Sequence, residues 1–239
     1  MQKPELKPTI NQTFVLTPAE DDKSGAYDFG KILEQSRRLE RQGQIEKACD
    51  VRYQAFQRLV ELLPEDAEIE LDWEDDYTQS ALHLINYSSI DHFLVGDYEM
   101  CAAMLELMLE LDSEDHLEAT TRLAYAYIAL EEYELYDEIA GDINDRTADK
   151  AILTLWSEYR QKGTLNDAQL RNLRTRHSDY YAEFTADSHP TDEAFINEIA
   201  KEKPSRSALA RELWLQTEHL WKQFPEFICA LKATKTNRK

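Results

Sequence analysis

The sequence predicts an all-α fold of antiparallel helical hairpins that stack side by side. Apolar residues recur at intervals of three and four in successive paired segments, which is the periodicity of amphipathic helices. Tyr98 and Tyr133 follow the turns of two consecutive predicted hairpins and lie 35 residues apart. A spacing near this length is typical of stacked helix-turn-helix repeats, because one hairpin cannot bury its apolar face alone. The sequence therefore favours a short α-solenoid.

Helical periodicity divides residues 28–185 into four predicted hairpins. Turn residues such as Gly43, Gly96 and Gly163 separate the two helices of a pair. The predicted helices cover residues 27–43 and 45–64, 77–95 and 99–111, 117–130 and 133–143, and 148–161 and 167–182. Two more are predicted within residues 190–231, one from Thr191 and one over 205–224. The apolar stripe of the longer one is typical of a helix that caps a solenoid.

Both chain ends are predicted to lie outside this helical region. Residues 1–27 contain three prolines and are expected to form an extended or poorly ordered arm, and residues 232–239 are expected to form a basic, frayed tail. The arm lacks the apolar segment of a secretory signal. No apolar run approaches the roughly 18 residues that a membrane-spanning helix needs. We therefore expect a cytoplasmic protein without membrane contact.

An acidic connector, residues 65–76, separates the first two hairpins. Ile69, Leu71 and Trp73 alternate with acids, which is the period of a strand rather than of a helix. The connector is therefore expected to be extended, with its apolar side against the first hairpin. The alternative is a linear recognition motif, since acidic and aromatic residues are interleaved.

The three cysteines are expected to be buried free thiols. Cys49, Cys101 and Cys229 are odd in number, far apart and set in predicted helices. This pattern favours a reducing compartment over a disulfide framework or a zinc site.

Acidic charge is concentrated in one part of the chain. Residues 65–145 contain 24 acidic residues and one basic residue, Arg122, and the formal net charge of the whole chain is −20. So dense a negative field disfavours direct binding to nucleic acid. The acids are either a solvated outer face or a docking surface for a basic partner, and the sequence leaves both open.

No motif for catalysis or cofactor binding is present. The six glycines are not clustered, so no phosphate loop is predicted, and the six histidines show no metal-ligand spacing with cysteine. We therefore expect a non-enzymatic protein with no catalytic residue, cofactor or metal. One basic patch on a predicted repeat helix is either a site for a phosphate or acidic peptide or a solvated face. It comprises Arg171, Arg174, Arg176 and His177.

Three hairpins share small and aromatic residues at matching places. They are Gly43, Ala48, Ala55 and Pro64 in the first, Gly96, Tyr98, Leu105 and Met108 in the second, and Leu123, Ala124, Tyr127 and Tyr133 in the third. In these residues the chain resembles the tetratricopeptide repeat family over residues 29–180. Cys101 and Tyr136 depart from the pattern, since they replace a small alanine. The resemblance implies a right-handed α-solenoid.

The same resemblance implies a peptide-binding concave groove lined by the first helix of each hairpin. Carried over by position, its residues are Arg37, His83, Asn86, Ile90, Phe93, Glu118, Thr121, Tyr125, Ile128, Lys150 and Arg160. The alternative for Ile90, Phe93 and Ile128 is packing against a neighbouring repeat. The pattern with which chaperone-binding members clamp a carboxylate is not reproduced, because only Arg122 stands at an equivalent place.

Two hypotheses for function follow from these observations. The first is a scaffold that binds a protein or peptide partner in the concave groove. The alternative is an acidic protein whose surface mimics a polyanion and occupies a basic nucleic-acid-binding protein. Salt distinguishes them, because screening weakens an electrostatic mimic far more than an apolar groove.

The charge distribution predicts that moderate salt raises the melting temperature. The acids of residues 65–145 repel one another, and salt screens this repulsion over a Debye length of roughly 8–10 Å at 0.1–0.15 M. Thermal unfolding at low and moderate sodium chloride concentrations measures the effect. A melting temperature that fell on adding salt would show that the acids are held in ion pairs instead.

Overall fold

The computed structural model describes residues 3–18, 25–64 and 68–236. These residues form twelve α-helices and one pair of short strands, so the prediction of a mainly helical fold is confirmed. None of the helices in these ranges combines the length and the apolar character that crossing a membrane requires.

The chain divides into two compact units, and most of the first five helices belong to unit 1. Unit 1 lies within residues 1–93 and 97–123, and unit 2 lies within residues 94–96 and 124–239. The first helices are α1 (Phe29–Arg41), α2 (Ile45–Val60), α3 (Asp76–Val95), α4 (Tyr98–Leu111) and α5 (Ala119–Leu130). Their bounds match the predicted ones to within a few residues. At the starts of α1 and α4, the apolar periodicity and the helix caps indicate the same boundary. The Asp28 and Asp97 side chains accept backbone hydrogen bonds in the first turns of these two helices.

The turns between paired helices are built alike. Gly43, Gly96 and Glu131 have positive φ angles of 72°, 81° and 66°. In each turn the next residue donates its backbone N–H, at 2.9 Å, to the carbonyl five residues before it: Gln44 to Leu39, Asp97 to His92 and Glu132 to Tyr127. This is the Schellman helix ending, which favours glycine at the left-handed position. Tyr98 and Tyr133 each begin the helix that follows such a turn.

The N-terminal segment is paired with the rest of unit 1. β1 (Glu5–Pro8) and β2 (Phe14–Thr17) form an antiparallel pair. The Phe14 N–H donates to the Glu70 carbonyl at 2.7 Å, and the Phe14 carbonyl accepts from the Asp72 N–H at 2.8 Å. Of the two alternatives predicted for this arm, residues 3–18 take the extended one, because their backbone groups find partners and Leu16 is buried. Residues 19–24 lie outside the described part of the chain.

The acidic connector has the two faces that its alternation predicts. Ile69 and Leu71 are buried, whereas Glu68 and Glu70 are exposed. The Leu71 N–H donates to the Leu111 carbonyl at the end of α4, at 2.7 Å. Residues 68–72 are thus bonded to β2 on one side and to α4 on the other, while residues 65–67 lie outside the described ranges.

The helices of unit 2 follow the prediction less closely. They are α6 (Tyr133–Ile139) with a short 3-10 turn (Ala140–Asp142), α7 (Ala148–Lys162), α8 (Asp167–Arg176), α9 (Ser178–Phe184), α10 (Glu193–Ile199), α11 (Arg206–Gln223) and α12 (Pro225–Thr236). The helix predicted over 167–182 is interrupted at His177, whose φ and ψ are −123° and 44°. The prediction of a frayed tail from residue 232 is wrong as far as Thr236, because α12 extends to that residue. Pro225 suits the first turn of this helix. Residues 237–239 lie outside the described part of the chain.

Aromatic packing holds the C-terminal helices of unit 2 to α7. Trp156 of α7 and Trp221 of α11 are buried and meet edge to face, with ring centroids 5.2 Å apart. Tyr125 lies 6.2 Å from Trp156, and Phe184 of α9 lies 5.6 Å from Trp221. Because α11 supplies the centre of this cluster, it is a core element of unit 2.

The three thiols are unpaired but differ in burial. Cys101 is fully buried, and burial raises the pKa of its thiol to about 12. Cys49 is half-buried. Cys229 is exposed, so the prediction that it is buried is wrong. The sequence places it in a helix, but it lies on the outer side of α12.

A buried guanidinium joins three helices of unit 1. Arg52 of α2 is 3% exposed and donates to both carboxylate oxygens of Asp91 on α3, at 2.7 Å each. It also donates to Glu40 of α1 at 2.6 Å. Burial alone would lower the pKa of Arg52, but the hydrogen bonds and charges of Asp91 and Glu40 outweigh it and raise the pKa.

Replacing Arg52 with methionine should lower the free energy of unfolding by roughly 2–4 kcal/mol, because Asp91 then keeps a half-buried charge without its partner. Urea unfolding measures the loss, with Arg38→Ala on the exposed side of α1 as the control that changes little. Adding Asp91→Leu should restore part of the stability. An Arg52→Met protein as stable as the wild type would contradict this role.

Candidate functional site

One face of α3 in unit 1 presents half-buried polar and aromatic side chains. His83, Asn86 and Tyr87 are three and four positions apart, so they project from the same side of the helix. α1, the connector and α5 each add one side chain that contacts them. We call this surface the α3 face, and it consists of Arg37, Trp73, His83, Asn86, Tyr87 and Arg122.

Rings form a continuous row along the α3 face. The His83 ring centroid lies 6.4 Å from that of Tyr87 and 5.7 Å from that of Trp73. Trp73 then stacks on His116 at 4.6 Å, with the ring planes 3° from parallel. At the other end of the row, Arg37 donates to the Tyr87 hydroxyl at 3.3 Å, and its guanidinium carbon lies 5.5 Å from the ring centroid. The row offers ring surfaces and one exposed cation.

Arg122 is held on this face by neutral groups. Its guanidinium donates to Asn86 Oδ1 at 2.7 Å and reaches Ser89 Oγ at 3.5 Å. Among the residues that the structure describes, Arg122 forms no ion pair within 4.0 Å. Desolvation lowers its pKa, yet a guanidinium stays charged at neutral pH. The face therefore carries a charged donor group without a carboxylate partner.

The two histidines of the row differ in their electrostatics. Burial, and then the charge of Arg37, lowers the pKa of His83. The pKa of His116 is raised, chiefly by its hydrogen bond to Asp112 at 2.6 Å and then by the charges of Asp112 and Glu114, although desolvation opposes the shift. A positive charge at the His116 end is thus favoured while His83 is kept neutral.

The predicted groove residues separate into different environments. Arg37, His83 and Asn86 come together on the α3 face. Phe93, Tyr125 and Ile128 are buried, so they contribute to cores rather than to a surface for a partner. Burial raises the pKa of Tyr125, whose hydroxyl donates to Asp149 at 3.3 Å.

The remaining groove residues lie elsewhere. Ile90 and Thr121 are half-buried, and Glu118 is exposed in the turn before α5, at a φ of 53°. Lys150 and Arg160 belong to unit 2 and are engaged within it. Lys150 donates to the Ala140 carbonyl, while Arg160 pairs with Glu131 at 2.7 Å and lies 4.3 Å from the Phe224 ring centroid.

Sequence reasoning missed Trp73 and Tyr87 as members of the site. Tyr87 follows His83 by four positions, which places the two on one helix face, so this signal was available in the sequence. Trp73 belongs to the alternating connector, and its contact with His83 depends on how the connector packs. The position of Arg122 was noted, but its hydrogen bond to Asn86, 36 residues away, is visible only in the structure.

Comparison with known proteins found no family model, no curated protein and no solved structure that matches this chain. No group of three or more metal-binding side chains comes together among residues 3–18, 25–64 and 68–236. The fold and the chemistry of the α3 face are therefore the basis for proposing a function.

A pH titration followed by NMR of the histidine ring protons should resolve these environments. We expect a midpoint above the ordinary value of 6.5 for His116, a midpoint below it for His83, and one near 4 for His219, whose pKa is lowered by burial. Single His→Gln variants assign the signals. Midpoints for His83 and His116 in the reverse order would contradict the geometry.

The raised pKa of His116 also predicts a pH-dependent stability. The folded state binds the proton more tightly, so this contribution to the free energy of unfolding is complete below about 6.5 and is lost as the pH rises through the folded pKa. Urea unfolding at about pH 5.5 and about pH 8.5 should therefore show a larger difference between wild type and His116→Gln at the lower pH.

Proposed function

We propose that this protein is a non-enzymatic helical-hairpin scaffold, arranged like tetratricopeptide repeats, that binds an extended peptide segment of a partner protein on the α3 face. The proposal rests on one observation above all, the juxtaposition of a guanidinium without a carboxylate partner and half-buried rings on that face. The three identical Schellman turns support a repeat origin for the helix pairs. A solenoid built from such pairs would use its inner surface for binding.

The donors of the α3 face suit the backbone of an extended peptide. Asn86 Oδ1 accepts from Arg122, while the Asn86 amide nitrogen and the other N–H groups of Arg122 have no hydrogen bond among the described residues and could donate to ligand acceptors. Peptide carbonyl oxygens are acceptors of this kind, and an extended segment leaves them unpaired. Charged donors strengthen such hydrogen bonds.

The rings and acids of the same region indicate which side chains a partner would bring. Trp73, His83 and Tyr87 offer faces on which apolar, aromatic or arginine side chains can stack. Exposed Glu74 and Glu114 lie near the Trp73 end, and their charges reach His116. A peptide with a basic residue at that end and an aromatic or aliphatic residue over Tyr87 fits this pattern best.

A polyanion mimic is the second candidate, and one observation in unit 2 favours it. α6 and the turn before it expose a run of acids without an ion pair among the described residues, namely Glu132, Glu134, Asp137 and Glu138. Such a run resembles the charge spacing of a polyanion and would attract a basic protein at long range.

The peptide proposal predicts that Tyr87→Ala and Asn86→Ala each weaken binding to a peptide selected against the wild-type protein from a display library. We expect a loss of roughly 2 kcal/mol, or about 30-fold, for Tyr87→Ala, because central aromatic side chains dominate interface energies. Tyr87→Phe is the matched control and should lose less, since it keeps the ring. Fluorescence anisotropy measures the affinities, and melting temperatures check the fold.

The matched test of the second candidate is charge reversal on α6. Glu134→Lys combined with Glu138→Lys should leave peptide affinity within about twofold, and raising salt from low to moderate should change it little. If the reversal abolishes binding while Tyr87→Ala retains it, the acidic surface is the binding site and the α3-face proposal fails.

A further inference from the structure

Unit 2 contains a cavity of about 320 Å³ where the first turns of α7, α9 and α11 meet the end of α8. Three arginines line it, although they are far apart in sequence: Arg146, Arg176 and Arg206. Arg176 belongs to the basic patch noted in the sequence, whereas Arg174 of that patch points elsewhere and donates to the Thr234 carbonyl at 2.6 Å. The patch is therefore divided, and Arg146 and Arg206 complete a different cationic cluster.

The three arginines of this cavity have no partner in the described structure. None of their guanidinium groups makes a hydrogen bond or an ion pair within residues 3–18, 25–64 and 68–236. Other arginines of unit 2 are engaged: Arg160 pairs with Glu131, and Arg211 pairs with Glu183. The three cavity arginines are exposed, and together they surround one cavity in a chain whose formal net charge is −20.

The surroundings of the cavity strengthen its positive potential. It opens beside the N-terminal turns of α7 and α11, helices of 15 and 18 residues whose N-termini carry partial positive charge. Asp149 and Asp179 also line it, and they offset part of the charge of the arginines. The Tyr180 hydroxyl and His177 add neutral polar groups, since burial and then the charges of Arg176 and Arg206 lower the pKa of His177.

We propose that this cavity binds a small phosphate ester whose organic part carries a hydroxyl or ammonium group. Guanidinium groups match the oxygen geometry of a phosphate and can each donate two hydrogen bonds to it. Asp179 is the acceptor for the donor groups of the organic part, since Asp149 already accepts from the Tyr125 hydroxyl. A volume of about 320 Å³ suits a small molecule, being at the lower limit of ligand pockets. This site is separate from the α3 face and independent of the function proposed for it.

Isothermal titration of the full chain with inorganic phosphate, O-phosphoserine and serine tests the proposal in a phosphate-free buffer. We expect saturable binding of phosphate and tighter binding of O-phosphoserine, with no binding of serine. Arg176→Gln and Arg206→Gln should each weaken O-phosphoserine binding about tenfold, which corresponds to the loss of one charged hydrogen-bonding group. Arg171→Gln is the matched control, because Arg171 is exposed on α8 and does not line the cavity.

Asp179→Asn supplies a test of opposite sign. It removes a negative charge from the cavity, so inorganic phosphate should bind more tightly to this variant than to the wild type. Melting temperatures confirm that each variant is folded. The proposal is overturned if neither phosphate compound binds at about 10 mM, if the cavity variants bind as the wild type does, or if Arg171→Gln loses as much affinity as they do.

Discussion

The guanidinium of Arg52 is the interaction on which the arrangement of unit 1 depends. It binds Asp91 of α3 and Glu40 of α1 from a buried position on α2, so one side chain fixes three helices relative to each other. Burying a charge costs free energy unless its partners are well placed, and the two 2.7 Å bonds to Asp91 meet that condition. The α3 face follows from this arrangement, because Arg37 of α1 meets Tyr87 of α3 only when both helices are held.

The helix boundaries of unit 1 could be predicted because their signals are local. Gly43 and Gly96 end helices in the left-handed conformation, and aspartates at positions 28 and 97 cap the next ones. Glu131 adopts the same turn without being glycine, so the 35-residue interval predicted it where residue type did not. In unit 2, no local pattern marks the break at His177. The start of α12 at Pro225 does have a local signal, since proline suits the first turn of a helix, but the prediction did not use it.

Site residues were harder to predict than helices, because the sequence of a helix face does not reveal whether that face is exposed to solvent or packed against a neighbouring helix. Tyr125 and Asn86 were both assigned to a groove by position, yet Tyr125 packs in the aromatic core of unit 2 and Asn86 stays half-buried beside Arg122. The Arg122 hydrogen bond joins residues 36 positions apart, and the Arg146–Arg206 cavity joins residues still farther apart. Such pairings depend on the packing of whole elements, which periodicity leaves open.

Acidic residues outnumber basic ones in this chain, and several of the arginines are paired with specific carboxylates. Each of Arg52, Arg160 and Arg211 is matched to a carboxylate within its own unit, and the surplus acids face solvent on elements such as α6. Arg122 on the α3 face and the three cavity arginines differ from these, because acids lie near them but none forms an ion pair with them among the described residues. An unpaired guanidinium in a strongly acidic protein retains its attraction for an added acceptor. The positions of these few cations, rather than the overall charge, therefore distinguish the two surfaces to which we assign binding.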